Sequence, residues 1–98
     1  MPDVTIVYWR DIPAQVIVGK GRRAAKRILD VRFEQAIDRA AMKVGAKAAD
    51  AYLSEWRKAS AGVQDGDADA IATAQATALE ADYDNARLKA LIDADGWA

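Results

Sequence analysis

The chain contains no cysteine and no histidine. Without cysteine there are no disulfides and no thiolate site for zinc or an iron–sulfur cluster. Without histidine, the commonest general base and the commonest transition-metal ligand are missing. Ser–His and Cys–His nucleophile pairs cannot be assembled within the chain, and serine occurs only at Ser54 and Ser60. An independent hydrolase or zinc enzyme is therefore not expected, nor is a bound cofactor. Acid–base work would fall to Asp11, Asp38 or a lysine, and no pattern in the sequence gathers these into a site. A non-enzymatic protein is the expectation. Long apolar runs are absent too, none approaching the roughly 20 residues of a membrane span. The first residues lack the basic segment and apolar core of a secretion signal, so a cytoplasmic, bacterial-type protein with no membrane partner is expected.

What is present fits one small domain. Ninety-eight residues, 52% of them hydrophobic, allow a single modest core. Alanine supplies much of that apolar content, which favours helix and leaves few large core side chains. The net charge of −1 hides an asymmetry. Residues 1–60 hold 12 Lys/Arg against 7 Asp/Glu, and residues 61–98 hold 2 against 8. The basic part either binds an acidic partner or nucleic acid, or is neutralised by the acidic tail packing near it. In so short a chain the second reading is the simpler.

Val4–Trp9 and Ala14–Val18 are rich in β-branched and aromatic residues and read as strands. By alternation Val4, Ile6 and Tyr8 share one face, and Thr5, Val7 and Trp9 the other. Ala24–Leu29 reads as a third, weaker strand or as an early helical turn. Asp30 is placed as an N-cap, with its carboxylate accepting from the first turn. Phe33, Ile37, Ala40, Ala41 and Val44 then mark one face of a helix that ends at Gly45. A second helix is expected from Ala48 to Ala59 with the stripe Ala49, Tyr52, Leu53 and Trp56. Residues 61–67 form a polar linker, and a long alanine-rich helix follows from Ala68 to Ile92. The fold class is thus α+β, with a short N-terminal antiparallel sheet of two to three strands followed by three helices. Residues 1–60 form the core unit, and the 68–98 helix belongs to the same domain. Phe33, Ile37, Tyr52, Leu53 and Trp56 should pack on Ile6, Tyr8 and Val16.

Several clusters invite a functional reading. Between the first two strands, Trp9-Arg10-Asp11-Ile12-Pro13-Ala14-Gln15 holds a tryptophan, a charge pair and a rigid proline. Tryptophan and arginine are the residues most enriched at binding hot spots. Trp9, Arg10, Asp11, Pro13 and Gln15 are therefore candidate contact residues, against the plainer reading of a structural loop in which Trp9 caps the core. Lys20, Arg22, Arg23, Lys26 and Arg27 form a basic cluster around Gly19 and Gly21. The Gly-Lys-Gly run lacks the spacing of a phosphate-binding P-loop. A partner protein, nucleic acid or a phosphate ligand compete there with a solvated strand edge. Tyr52 and Trp56, four apart on a helix, read as core before they read as a ligand-stacking pair. Asp65, Asp67 and Asp69 alternate like the start of a calcium loop, but Ala76 stands where the closing glutamate belongs.

Two layouts extend over longer stretches. Residues 24–58 have the order of a ribbon–helix–helix DNA-binding protein: a basic strand, a helix, a glycine and a second helix. Against it, Lys47, Ala48 and Ala49 stand where hydroxyl residues usually hold phosphate, and the upstream strands offer Ala24–Leu29 a mate within the chain. The line Val4-Thr5-Ile6-Val7-Tyr8-Trp9-Arg10-Asp11-Ile12-Pro13-Ala14-Gln15-Val16, with Arg32-Phe33, Ala36–Met42, Asp50–Leu53 and Trp56-Arg57, resembles the small bacterial "virulence factor" domain family. The same domain resembles a part of the larger conserved virulence factor C proteins. The resemblance covers about residues 4–58 and does not extend into the acidic tail. It brings no catalytic residue with it, and the family name is a phenotype label. The resemblance implies only a weak association with one-carbon and corrinoid metabolism. The leading reading is a non-enzymatic accessory module that binds another protein, a one-carbon or corrinoid enzyme among the candidates, through the Trp9–Gln15 loop and the basic edge. A dimeric DNA-binding protein is the alternative.

Overall fold

The computed structural model describes residues 2–45 and 49–98. The chain order is β1 (Asp3–Trp9), β2 (Ile12–Val18), β3 (Ala25–Ile28), α1 (Val31–Lys43), α2 (Ala49–Ser54), β4 (Trp56–Val63), α3 (Ala68–Asp82) and α4 (Asn85–Asp93). All neighbouring strands are antiparallel, in the order β3-β2-β1-β4. The class is α+β, with four strands rather than two to three, and four α-helices rather than three, among the described residues.

The fourth strand corrects the second helix. Helix is kept over Ala49–Ser54, but Trp56–Val63 pairs along β1, with Trp56 opposite Trp9 and Ala59 opposite Ile6. Lys47 and Ala48, at the expected start of that helix, lie outside the described residues. The spacing of Tyr52, Leu53 and Trp56 is helical, yet the free edge of β1 offers a full ladder of hydrogen bonds to whatever follows. Ser60 and Gly62 resist helix weakly, and tertiary pairing overrides local propensity. Gly62 sits at φ +97°. There Ala61 and Gly62 oppose the single residue Val4, forming a bulge. Because the strand runs to Val63, the connection to α3 is only 64–67.

The long C-terminal helix is also two helices. Its first part is capped by Asp67, whose carboxylate accepts from Ala70 N at 3.0 Å. A break at Tyr83 admits a second cap, where Asp84 accepts from Arg87 N at 2.8 Å. Asp30 does stand at the N-cap of α1, but its carboxylate makes no capping bond. Its own N–H instead donates to the Glu80 carboxylate at 2.9 Å.

One sheet face carries the core. Register places Val4, Val18 and Ala25 in one cross-strand row, and Ala59, Ile6, Val16 and Arg27 in the next. Val4, Ile6, Val16, Val18 and Ala25 are buried. Above them lie Phe33, Ala36, Ile37, Ala40 and Ala41 of α1, Ile71, Ala72 and Ala76 of α3, and Leu88 and Leu91 of α4. The expected core of Tyr8 and Leu53 is not formed. Tyr8 lies under the Arg57 guanidinium, and Leu53 is 62% exposed. Alternation fails near Tyr8 because β2 carries an extra residue, Ala14, between the partners of Val7 and Tyr8.

Candidate functional site

The Trp9–Gln15 block turns out to be a structural knot. Trp9 is fully buried, its indole N–H donating to Tyr52 O at 3.0 Å and its ring stacked on Tyr52. Pro13 is fully buried too. Arg10 adopts φ +54°, a left-handed backbone that costs a non-glycine residue about 1 kcal/mol. Many contacts hold it there. Its N–H donates to Glu55 O at 3.0 Å and its guanidinium to Asp95 O at 2.6 Å. The guanidinium lies between the Trp9 and Trp97 rings, 5.1 Å from each. Its Nε is 3.4 Å from the Glu55 carboxylate, a charge contact without hydrogen-bond geometry.

Asp11 ties this turn to β4 and to the stretch after α4. Its N–H donates to Gly96 O, and its two carboxylate oxygens accept from Arg57 at 2.8 Å and from Ala98 N at 2.7 Å. Gly96 is at φ +90°, and a Cβ there would come within 3.1 Å of Trp9 and Arg10. Trp9 and Pro13 therefore offer no surface to a partner, and Arg10 and Asp11 are engaged within the chain. Gln15, half-buried, is the member of the block that reaches the open face of the sheet.

The basic cluster is the reverse case. Lys20, Arg22, Arg23 and Lys26 are exposed on and beside a 3-10 turn at Gly21–Arg23. Lys20 meets Asp3 at 3.3 Å, with 85% of its side chain exposed. Among the described residues Arg22, Arg23 and Lys26 form no ion pair. Arg27 leaves the group, because it faces α3 and binds Asp69 and Thr73. The acidic tail thus neutralises part of the basic half: Arg27 through Asp69, and Lys43 through Asp95. It does not reach the turn.

Beside the turn lies the sheet face away from the helical core. Cross-strand partners share a face. Lys26, Ile17, Thr5 and Ser60 form one row, and Ile28, Gln15, Val7 and Lys58 the next. Lys26, Ile28, Lys58 and Ser60 are exposed, and the middle residues half-exposed. A hollow of about 380 Å³ at the turn end is walled by Lys20, Lys26 and Lys58, with Thr5, Ile17 and the glycine backbone as floor. In the sequence Lys58 reads as the end of a helix and not as a member of this group. Its pairing opposite Val7 brings it to the two lysines. Three ammonium groups on a rigid, half-apolar surface can dock carboxylates or phosphates.

The ribbon–helix–helix layout is not formed. Its second helix is cut short at Ser54, because Trp56–Val63 pairs with β1 as a strand, and β3 is taken into the same sheet by β2 over Gln15–Val18. Residues 7–92 match the family model described as virulence factor. The chain belongs to that family. The match runs on through the acidic tail, beyond the residues 4–58 that carry the resemblance. This fits the tail's part in the fold, since Ile71, Ala72, Leu88 and Leu91 complete the core. No curated protein and no solved structure matches the chain. Among the described residues no three metal-ligating side chains cluster, and no helix is long and apolar enough to cross a membrane.

Proposed function

We propose that this virulence factor family domain is a non-enzymatic interaction module whose partner is an acidic surface of another protein. The contact residues are Lys20, Arg22, Arg23, Lys26 and Lys58, with Gln15, Ile17 and Thr5 on the adjoining sheet face. One observation carries the reading. The open face of the sheet ends in a cluster of cations that the acidic tail leaves unneutralised. Exposed lysines beside half-exposed aliphatic groups supply steering and orientation from charge, and affinity from the apolar strip. The role of Trp9 and Arg10 in this reading is indirect: they hold the sheet that presents the face. An enzyme of one-carbon or corrinoid metabolism is the first partner class to examine, on the strength of the family resemblance.

The test is affinity capture from the native cell, comparing the natural chain with Lys20→Glu/Lys26→Glu/Lys58→Glu. The expected outcome is a protein retained by the natural chain, resistant to nuclease, and released by raised salt or by the triple change. Equal capture by both chains contradicts the reading. Nuclease-sensitive retention with steep salt dependence would assign the surface to nucleic acid instead.

A further inference from the structure

The opposite end of the open face has a different chemistry. A cavity of about 320 Å³ lies where Val7, Gln15 and Ile28 meet α1 and α2. Tyr52 and Trp56 form its aromatic wall, their rings set edge to face 5.9 Å apart. Leu29 and Ile37 add an aliphatic floor, and Glu34 and Asp38 of α1 complete the lining. These carboxylates are four residues apart on one helix, a spacing at which like charges repel. Among the described residues neither forms an ion pair, and no lysine or arginine lines the cavity. Their charge is felt inside it: the Tyr52 hydroxyl is held above its ordinary pKa by burial first, then by Asp38 and, more weakly, by Glu34.

Each part of this lining suits the same kind of guest. Aromatic faces attract a cation. An aliphatic floor accepts a methylene stem, as the stems of lysine and arginine lie on apolar surface elsewhere. Unpaired carboxylates accept charge-assisted hydrogen bonds from the head. A neutral guest gains nothing from the two exposed, hydrated carboxylates, and an anion would be repelled.

We propose that this cavity receives an ammonium or guanidinium group carried on an aliphatic stem of about three or four carbons. Such a group is presented by a lysine or arginine side chain of a polypeptide, or by a free small amine. The site uses none of the lysines of the basic surface, although Gln15 borders both and Val7 of its lining lies opposite Lys58. The sheet face then has an anion-receiving end and a cation-receiving end.

Titration of the intact chain with n-butylammonium, n-butylguanidinium and neutral n-butanol, read at the indole N–H resonance of Trp56, tests this. Both cations should shift that resonance saturably, with a Kd on the order of 10 mM, as befits so few atoms. n-Butanol should bind about tenfold more weakly, and so should the cations to Glu34→Gln/Asp38→Asn. Both changed positions are exposed on α1, and the double variant should melt where the natural chain does; Glu34→Gln alone gives a smaller loss in the same direction. A glycine-flanked lysine peptide that binds at least as well as n-butylammonium assigns the site to a polypeptide side chain. Its exclusion while n-butylammonium binds assigns the site to free amines. No shift of Trp56 with either cation, equal binding of n-butanol, or undiminished binding by the double variant overturns the proposal. The lysines of the basic turn are untouched in every arm, so failure here leaves that surface standing.

Discussion

Two turns of one sheet have opposite fates. The turn at Arg10–Asp11 is bound to Glu55, to Arg57 of β4, and to Asp95, Gly96 and Ala98 after α4. The turn at Gly19–Arg23 is met by little more than Asp3, through one exposed ion pair and one backbone bond. Both look unusual in sequence, one for its tryptophan and proline, the other for its cations between glycines. Conspicuous residues in the first turn mark a place where the fold closes on itself. Those in the second mark a surface left open. Composition alone does not separate the cases; what separates them is whether distant parts of the chain supply partners.

The sharpest way to break this contrast is Trp9→Ala. It removes a fully buried indole and its bond to Tyr52 O, and should cost about 3–5 kcal/mol in chemical denaturation. A loss below about 1 kcal/mol would mean the block is not a knot. Gly96→Ala comes next. Its Cβ would press on Trp9 and Arg10 in a left-handed backbone, for an expected loss of about 1–3 kcal/mol. Asp11→Ala leaves Ala98 N and Arg57 without their acceptor. Because Arg57 is nearly half exposed, the loss should be only about 1 kcal/mol.

Much of the first turn's environment was hidden in the sequence for a definite reason. Local patterns gave the antiparallel pairing of β1 with β2, the α1 stripe through Phe33 and Ile37, and the turn glycines. They could not give the pairing of Trp56–Val63 with β1, since that strand is stabilised by a partner some fifty residues upstream rather than by its own propensities. Tyr52 and Trp56 illustrate the consequence. Four apart, they have the spacing of one helical stripe, yet one lies in α2 and the other opens β4, and together they wall a cavity. The basic cluster was legible in Lys20, Arg22, Arg23 and Lys26, because consecutive cations between glycines need no long-range contact to stay exposed. Lys58 and the removal of Arg27 to Asp69 required the tertiary structure.

A smaller effect sharpens the account at the other end of the face. Glu34→Gln/Asp38→Asn removes two charges that hold the Tyr52 proton on, so the Tyr52 pKa should fall toward its ordinary value of 10.0 while staying above it through burial. Ring-carbon NMR of Tyr52 against pH checks this, and no change would place those carboxylates away from the cavity. A raised tyrosine pKa in the folded chain also has a sign for stability. Its contribution is complete below the unfolded value near 10 and is lost as pH rises through the folded value. Unfolding should therefore become easier only in strongly alkaline solution, for Tyr52 and for Tyr83, whose hydroxyl is raised chiefly by burial.

The central contrast, a knot against an open surface, is tested most directly by stability and partner capture measured together on the triple variant Lys20→Glu/Lys26→Glu/Lys58→Glu. The account predicts a loss of stability of no more than about 1.5 kcal/mol, about 0.5 for each exposed position, and a loss of partner capture. Unfolding of that variant, or capture undiminished by it, would contradict the assignment of the open face as the contact surface.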